Sequence, residues 1–433
     1  MKKRIIALAT AAALAATMAL TACGSGESGS GSSGSSGSSG EKASITIFNS
    51  KMEIQSQMEE MAKEYSEKKG VNVEVYYSSD TVAAHLSTRY AANDPYTISM
   101  VDAKDVYSLA KEHAVDLSDQ DWVKNTTQAI AIDGKTYGFP VCVEARGVIY
   151  NGNAIEKATG KEFDPSTIKT TDDFKKLIEA CTAGGMKAAT GVLKEDWSLG
   201  AHYLAEVYEQ HDDPDAYIKG IKDGSIKLAD DAKFKEMMDT FDVLKENNYA
   251  KDAAISAERE VTEQKLAEGE IAFMFGGNWD WSVISAYDYT DKMGIMAVPN
   301  NSTDGSNEKL VGGGSKYFFI DSSDNTSDAQ RQAAKDFLNW LVSDPEGQSF
   351  IVEKCALVPA FSNITLAVKD PLGASVKTYV DKGALIANYN YLPDDHYAKT
   401  GASFQKYLSG EIDRAAFADE VTAYWKTAEV IAH

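Results

Sequence analysis

The spacing of apolar positions changes several times in the first hundred residues after position 42. ASITIFN (43–49) alternates apolar and polar side chains, as a half-buried strand does. The following stretch, IQSQMEEMAKEYSEKKG, places Ile54, Met58, Met61 and Tyr65 three or four apart and stops at Gly70, which predicts a helix. VNVEVYYSS (71–79) alternates again. Strand, helix and strand in so short a stretch predict a βαβ unit and a parallel sheet. TVAAHLSTRYAAND then predicts a helix, PYTISMVD a strand and AKDVYSLAKEHA another helix. The fold class that follows is α/β, with helices covering the sheet.

Farther along, DGKTYG (133–138) predicts a turn, and FPVCVEARGVIYN is a long apolar run crossed by Glu144 and Arg146. Residues 151–260 hold a series of amphipathic helical patterns, and strand character returns in IAFMF (271–275) and MGIMAVP (293–299). VGGGSKYFFI (311–320) reads as a Gly-rich joint leading into a strand. The helix SDAQRQAAKDFLNWLVSD follows, and after CALVPAF the pattern is helical except around ANYNYLPDDHYAKTG. The chain thus leaves a first α/β unit near residue 143, builds a second, and returns through Val311–Lys316. Repeated crossing between two units implies a hinged pair with a cleft.

The N-terminus has a different character. MKKR is a positive n-region, IIALATAAALAATMAL an apolar h-region, and LTAC ends it at Cys23 with the small residues of a lipobox. The pattern resembles a bacterial lipoprotein precursor, with residues 1–22 a cleaved signal peptide and Cys23 the lipidated residue. Gly24–Gly40 is almost entirely Gly and Ser and cannot bury apolar surface. As a coil it reaches about 20–25 Å. Residues 23–42 are therefore a flexible leash, which would hold the body at the outer face of a membrane.

At 433 residues and 43% hydrophobic content, the chain is long enough for two domains. Its net charge of −22 argues against nucleic acid and anionic membrane surfaces as partners. Beyond Cys23 stand Cys142, Cys181 and Cys355, an odd number without CxxC spacing, expected as buried small hydrophobes. Catalytic motifs are missing: neither GxSxG nor HExxH occurs. DGKT (133–136) would need glycine at 129 to be a phosphate loop, and that residue is Ala129. DSSDNTSD (321–328) lacks the glycine of a calcium loop, and its Ser327 is placed to cap the next helix. No enzyme activity, cofactor or metal is expected.

A cleft without catalysis binds. Sugars need flat aromatic faces for their C–H surfaces, with carboxylates, amides and cations for their hydroxyls. Loops after strand C-termini line the crevice of a parallel α/β sheet. They supply Lys51 after the first strand, Ser79 and Asp80 after the second, and Asp102 after the third. Ser79 and Asp80 also look like helix caps. Glu144, a charge inside an apolar run, must pair with Arg146 or face a ligand. Trp197 opens a helix, as core or platform. In FMFGGNWDWS (273–282), Trp279 is the platform candidate, Trp281 core or rim, and Asn278 and Asp280 their polar neighbours. NYNYLPDDHY (388–397) offers His396 and Tyr397, and Gly313 lies in the Gly-rich joint.

Taken together, ITIFN with GVNVEV, YGFPVCVEARGVIYN, KLAEGEIAFMFGGNWDWSVI and VGGGSKYFFI resemble the sugar-binding proteins of ABC importers, the extracellular solute-binding family that includes maltose-binding protein. The resemblance covers about residues 43–430. It implies a two-lobed periplasmic-binding-protein-like fold, each lobe a mixed sheet flanked by helices, hinged around a ligand cleft. Lobe 1 would take residues 43–143 and 313–358, and lobe 2 residues 144–312 and 359–433. By position, Glu144, Glu195, Trp197, Trp279 and Tyr397 match sugar-contacting residues of the family. The implied role is a monomeric, lipid-anchored protein at the extracellular face of the bacterial membrane. It would capture an oligosaccharide, foremost a malto-oligosaccharide, and deliver it to an ABC permease. A xylo-, fructo-, galacto- or raffinose-type sugar is the alternative, ahead of a peptide, a polyamine or a glycosidase role. Gly401 replaces a basic residue of the family's maltose binder, the 101–105 loop lacks its aromatic, and the loop around Lys51 differs in length.

Overall fold

The computed structural model describes residues 44–78 and 80–431. The signal peptide, Cys23, the Gly/Ser leash and Ser79 lie outside the described residues. β1 (Ser44–Asn49) buries Ile45 and Ile47, and the helix Gln55–Lys69 buries Met58, Met61 and Tyr65 as its spacing predicts. That helix ends where Gly70 turns left-handed at φ 72°, a conformation that favours glycine. β2 (Asn72–Tyr77) and β3 (Ile98–Asp102) each pair in parallel with β1.

β4 (Ile130–Ile132) and β5 (Lys135–Asn151) form a hairpin around Asp133 and Gly134, both at positive φ, so DGKT is a turn. β6 (Thr190–Gly191), β7 (Phe273–Gly277), β8 (Met293–Met296), β9 (Leu310–Ile320) and β10 (Leu385–Ala387) complete the strands. The main path of the sheet runs β2-β1-β3-β9-β5-β7-β6, with β10 on β9 and β4 and β8 on β5. β9 is antiparallel to both β3 and β5, so the sheet is mixed.

β5 and β9 join the two halves of this sheet. Phe139–Cys142 pair with Lys316–Phe318, and Val143–Arg146 pair with Val311–Gly314, with register shifts on either side of Cys142. Such irregularities bend a strand. At the bend the Val143 N–H donates to the Val358 carbonyl at 2.9 Å. β5, β9 and the segment at Val358 therefore lie side by side. One hydrophobic core packs Ile45, Ile98, Trp122, Phe139, Phe318 and Phe337. A second packs Phe174, Tyr203, Phe234, Phe241, Phe273 and Trp425.

The structure departs from the sequence reading in local ways. Thr81, rather than Ser79 or Asp80, is the N-cap residue of the helix Val82–Ala91. The glycines of 312–314 lie inside β9 instead of forming a joint before it. β4, β6 and β10 are too short to show a period. Ser327 caps the helix Asp328–Ser343 by accepting the Gln330 N–H, as expected. Cys142, Cys181 and Cys355 are buried and free. Among the described residues no helix is long and apolar enough to cross a membrane, and no group of three metal-ligating side chains occurs.

Candidate ligand-binding site

The end of β3, the crossing of β5 over β9, and the starts of the helices Trp197–Tyr203 and His396–Ser409 converge on a cavity of about 470 Å³. Its size falls in the ~300–1,000 Å³ range of small-molecule sites. The charged wall consists of pairs. Lys316 Nζ donates to Asp102 Oδ1 at 2.5 Å, and Lys51 Nζ donates to Glu144 Oε1 at 2.6 Å. Burial disfavours the charge on both carboxyls, yet the two ammonium groups override it and hold each below its usual range. Lys51 is itself only 5% exposed and reaches the cavity through Glu144. Lys104 bridges Asp105 at 2.9 Å and Asp394 at 2.7 Å.

Arg146 does not pair with Glu144, its neighbour along the strand. It donates to Asn388 Oδ1 at 2.9 Å and to the Glu209 carboxylate, and Glu206 lies 3.5 Å from its Nε. Burial raises both glutamates, Glu206 to about 8. Glu209 also accepts the Tyr389 N–H at 2.9 Å. The segment 388–394 is thus tied at one end to Arg146 and Glu209 and at the other to Lys104.

The opposite wall is aromatic. The helix Trp197–Tyr203 is a π-helix, with the Leu204 N–H bonded to the Leu199 carbonyl five residues back. Such wide turns are rare and frequent at functional sites. This one brings Trp197 and His202, also five apart, to a ring separation of 5.2 Å, and His202 stands 4.8 Å from Trp279. Gly276 and Gly277 explain their own presence. A Cβ on Gly277 would lie 2.3 Å from the Trp279 ring, and one on Gly276 would lie 2.1 Å from the Asp280 carboxylate. The two glycines let an indole and a carboxylate fold back onto the strand that carries them. Tyr397 is brought close by a tight helix crossing. A Cβ on Gly401 would meet the Asp196 carbonyl at 2.5 Å, and one on Gly200 the Tyr397 carbonyl at 2.7 Å.

Several candidates stand behind this wall or away from it. Arg259 stacks over Trp197 at 4.4 Å and binds Glu195 at 3.3 Å, Glu263 at 3.0 Å and the Asp280 carboxylate. Glu195 and Asp280 therefore brace the aromatic wall instead of lining the cavity. Asn278 Oδ1 accepts the Ala145 N–H at 2.9 Å, tying β7 to β5. Trp281 rests on Tyr289, ring to ring at 4.7 Å, outside the cavity. Gly313 pairs with Glu144 in the ladder, while Gly314 lines the site. Asp80 is exposed and bonds Ser78, away from the cavity. His396 touches the cavity, but its imidazole sits among Tyr208, Tyr424 and Trp425, 3.3 Å from the Tyr208 hydroxyl. Burial pushes it down to about 3, and it is a core residue.

A family model described as bacterial extracellular solute-binding protein matches residues 60–384. The chain belongs to that family. Similar solved structures include the solute-binding protein RafE in complex with raffinose, at TM-score 0.73 and 20% identity over 89% of this chain and 99% of that one. A chitin oligosaccharide binding protein aligns at TM-score 0.68 and 21% identity over 89% and 98%. A family 1 extracellular solute-binding protein from Bifidobacterium longum subsp. infantis aligns at 0.65 and 23% over 90% and 100%. These likenesses are likenesses of fold, and the two-lobed α/β architecture is the one expected. Of the residues singled out from sequence, this solute-binding protein brings Asp102, Glu144, Trp197, Trp279, His396 and Tyr397 to the cavity. Sequence reasoning missed Lys104, His202, Glu209, Asn388 and Asp394. Helical periodicity does not place residues five apart on one face, and Lys104 and Asp394 lie far apart in the chain.

Proposed function

We propose that this protein captures a neutral oligosaccharide between its lobes and, once closed around it, delivers it to an ABC permease. The observation that carries this reading is the charge balance of the cavity. Among the described residues, every charged side chain on the wall has an opposite partner: Asp102 with Lys316, Glu144 with Lys51, Arg146 with Glu209, and Lys104 with Asp394. A polyamine or charged peptide needs uncompensated charge, because its own charge is desolvated on entry. A neutral polyhydroxyl ligand needs aromatic faces and oriented polar groups, which Trp197, Trp279, Tyr397 and the paired carboxylates supply. Asp102 and Glu144 are both held ionised, and Glu209, which burial raises, is engaged by Arg146 and the Tyr389 N–H, so it is not free to act as the acid of a glycosidase.

The closing motion is assigned to bends at Cys142–Arg146, Val311–Lys316 and Leu357–Ser362, where the three crossings lie together. Lobe 1 then comprises 43–143 and 313–358, and lobe 2 comprises 144–312 and 359–433. In this reading Cys23 carries the lipid that keeps the body at the extracellular face of the bacterial cell membrane. Malto-oligosaccharides are the first ligands to test, followed by raffinose-type sugars. A thermal-shift screen over neutral oligosaccharides, polyamines and peptides decides the matter. A ligand at 100 times its Kd adds about 2.7 kcal/mol. A shift with a neutral sugar is the expected outcome, and a shift with amines or peptides alone overturns the reading.

A further inference from the structure

His202 was not singled out by any sequence pattern, yet it occupies the centre of the aromatic wall. Its ring lies between Trp197 and Trp279, at 5.2 Å and 4.8 Å, and lines the cavity. The other described histidines all meet a polar side chain: His85 the Tyr96 hydroxyl, His396 the Tyr208 hydroxyl, His211 Asp231, and His113 Glu112. Neither ring nitrogen of His202 has a hydrogen-bond partner among the described residues. The charged groups around it are already engaged. Arg146 is taken by Asn388 and Glu209, and Arg259 by Asp280, Glu263, Glu195 and Ser198. Trp279 Nε1 also has no hydrogen-bond partner among the described residues, and it is buried.

We infer that His202 is a specificity-determining residue of the cleft, its neutral imidazole exchanging hydrogen bonds with a hydroxyl of the bound sugar while Trp197 and Trp279 hold the ring. This rests on the function proposed above. A neutral imidazole offers one donor and one acceptor, and a hydroxyl can answer either. Burial, reinforced by the positive charges of Arg146 and Arg259, keeps the ring unprotonated. A ligand lacking the matching hydroxyl would leave the imidazole unpaired, which is how a site built to bond a hydroxyl rejects its analogue.

Two substitutions separate hydrogen bonding from packing. His202→Phe keeps a flat ring between the tryptophans and removes both nitrogens. His202→Gln keeps a donor and an acceptor and removes the ring. Calorimetric titration uses maltotriose and raffinose, with whichever stabilises the wild type as the probe. The expected result is at least a ten-fold loss of affinity in His202→Phe and a smaller loss in His202→Gln. The reverse order, or Phe binding like the wild type, assigns His202 to packing and overturns the inference. A second readout needs no variant to bind. In wild-type protein with 15N-labelled histidine, the His202 ring nitrogens should shift when the sugar is added, and an unmoved resonance also overturns the inference. Wild-type protein stabilised by neither sugar nor any other neutral oligosaccharide overturns the parent reading, and this one falls with it.

Discussion

A methyl group on Gly277 would occupy the space of the Trp279 ring, so the smallest possible change to the strand tests the platform. Gly277→Ala should weaken sugar affinity at least ten-fold by displacing the indole, approaching the loss in Trp279→Ala, as read by calorimetric titration. Trp281→Ala should leave affinity unchanged and cost about 1–2 kcal/mol in chemical denaturation, because its ring packs on Tyr289 outside the cavity. The buried histidine His396 sets a pH dependence. Its pKa falls from about 6.5 unfolded to about 3 in the folded protein, chiefly through burial. The unfolded chain therefore binds the proton first, and stability is lost as pH falls below about 6.5. Between pH 7 and pH 5 the wild type should lose about 2 kcal/mol relative to His396→Phe. Denaturation curves at the two pH values check this, and parallel behaviour of the two proteins would remove His396 as the cause.

At the scale of elements, one arginine organises the aromatic wall. Arg259, on the helix Arg259–Ala267, joins Asp280 after β7, Glu195 before the π-helix and Glu263 on its own helix, while stacking on Trp197. Removing it leaves the buried Asp280 carboxylate without a counter-charge, while burial and the neighbouring Asp280 push Glu263 up to about 9. Arg259→Met should cost about 3–5 kcal/mol in urea denaturation. A cost near zero would mean that the three carboxyls are paired elsewhere. A second tie joins the helix Ala103–His113 to the segment 388–394, through Lys104 with Asp394 and through Tyr107 against Tyr391 at 4.7 Å. Lys104 and Asp394 both line the cavity, so this tie lies on its wall. Lys104→Gln should speed ligand release about two- to five-fold in stopped-flow measurements, the small factor expected of a partly exposed pair. An unchanged release rate would place the tie outside the closing motion.

At the scale of the whole molecule, two α/β halves share a sheet through β5 and β9, and the cavity opens where those strands bend. The alternation of β1 and β2 and the helical spacing of Met58, Met61 and Tyr65 made the βαβ start legible, because periodicity reports which face is buried. Trp279, after a Gly-Gly pair, was legible as a candidate for the cleft because the glycines break the strand there, and it lines the cavity. The partners were not. The sequence alone determined the α/β alternation of the longer strands and helices and several residue types that reach the cavity, since these depend on local pattern and composition. Only the tertiary structure decided that Glu144 pairs with Lys51 rather than Arg146, and that Asn278, Asp280 and Glu195 brace the wall. It also decided that His396 belongs to the core and His202 to the cleft. The reason is physical. A side chain's partner is set by approaches between segments distant in the chain, and a single wide helical turn is enough to change which residues share a face.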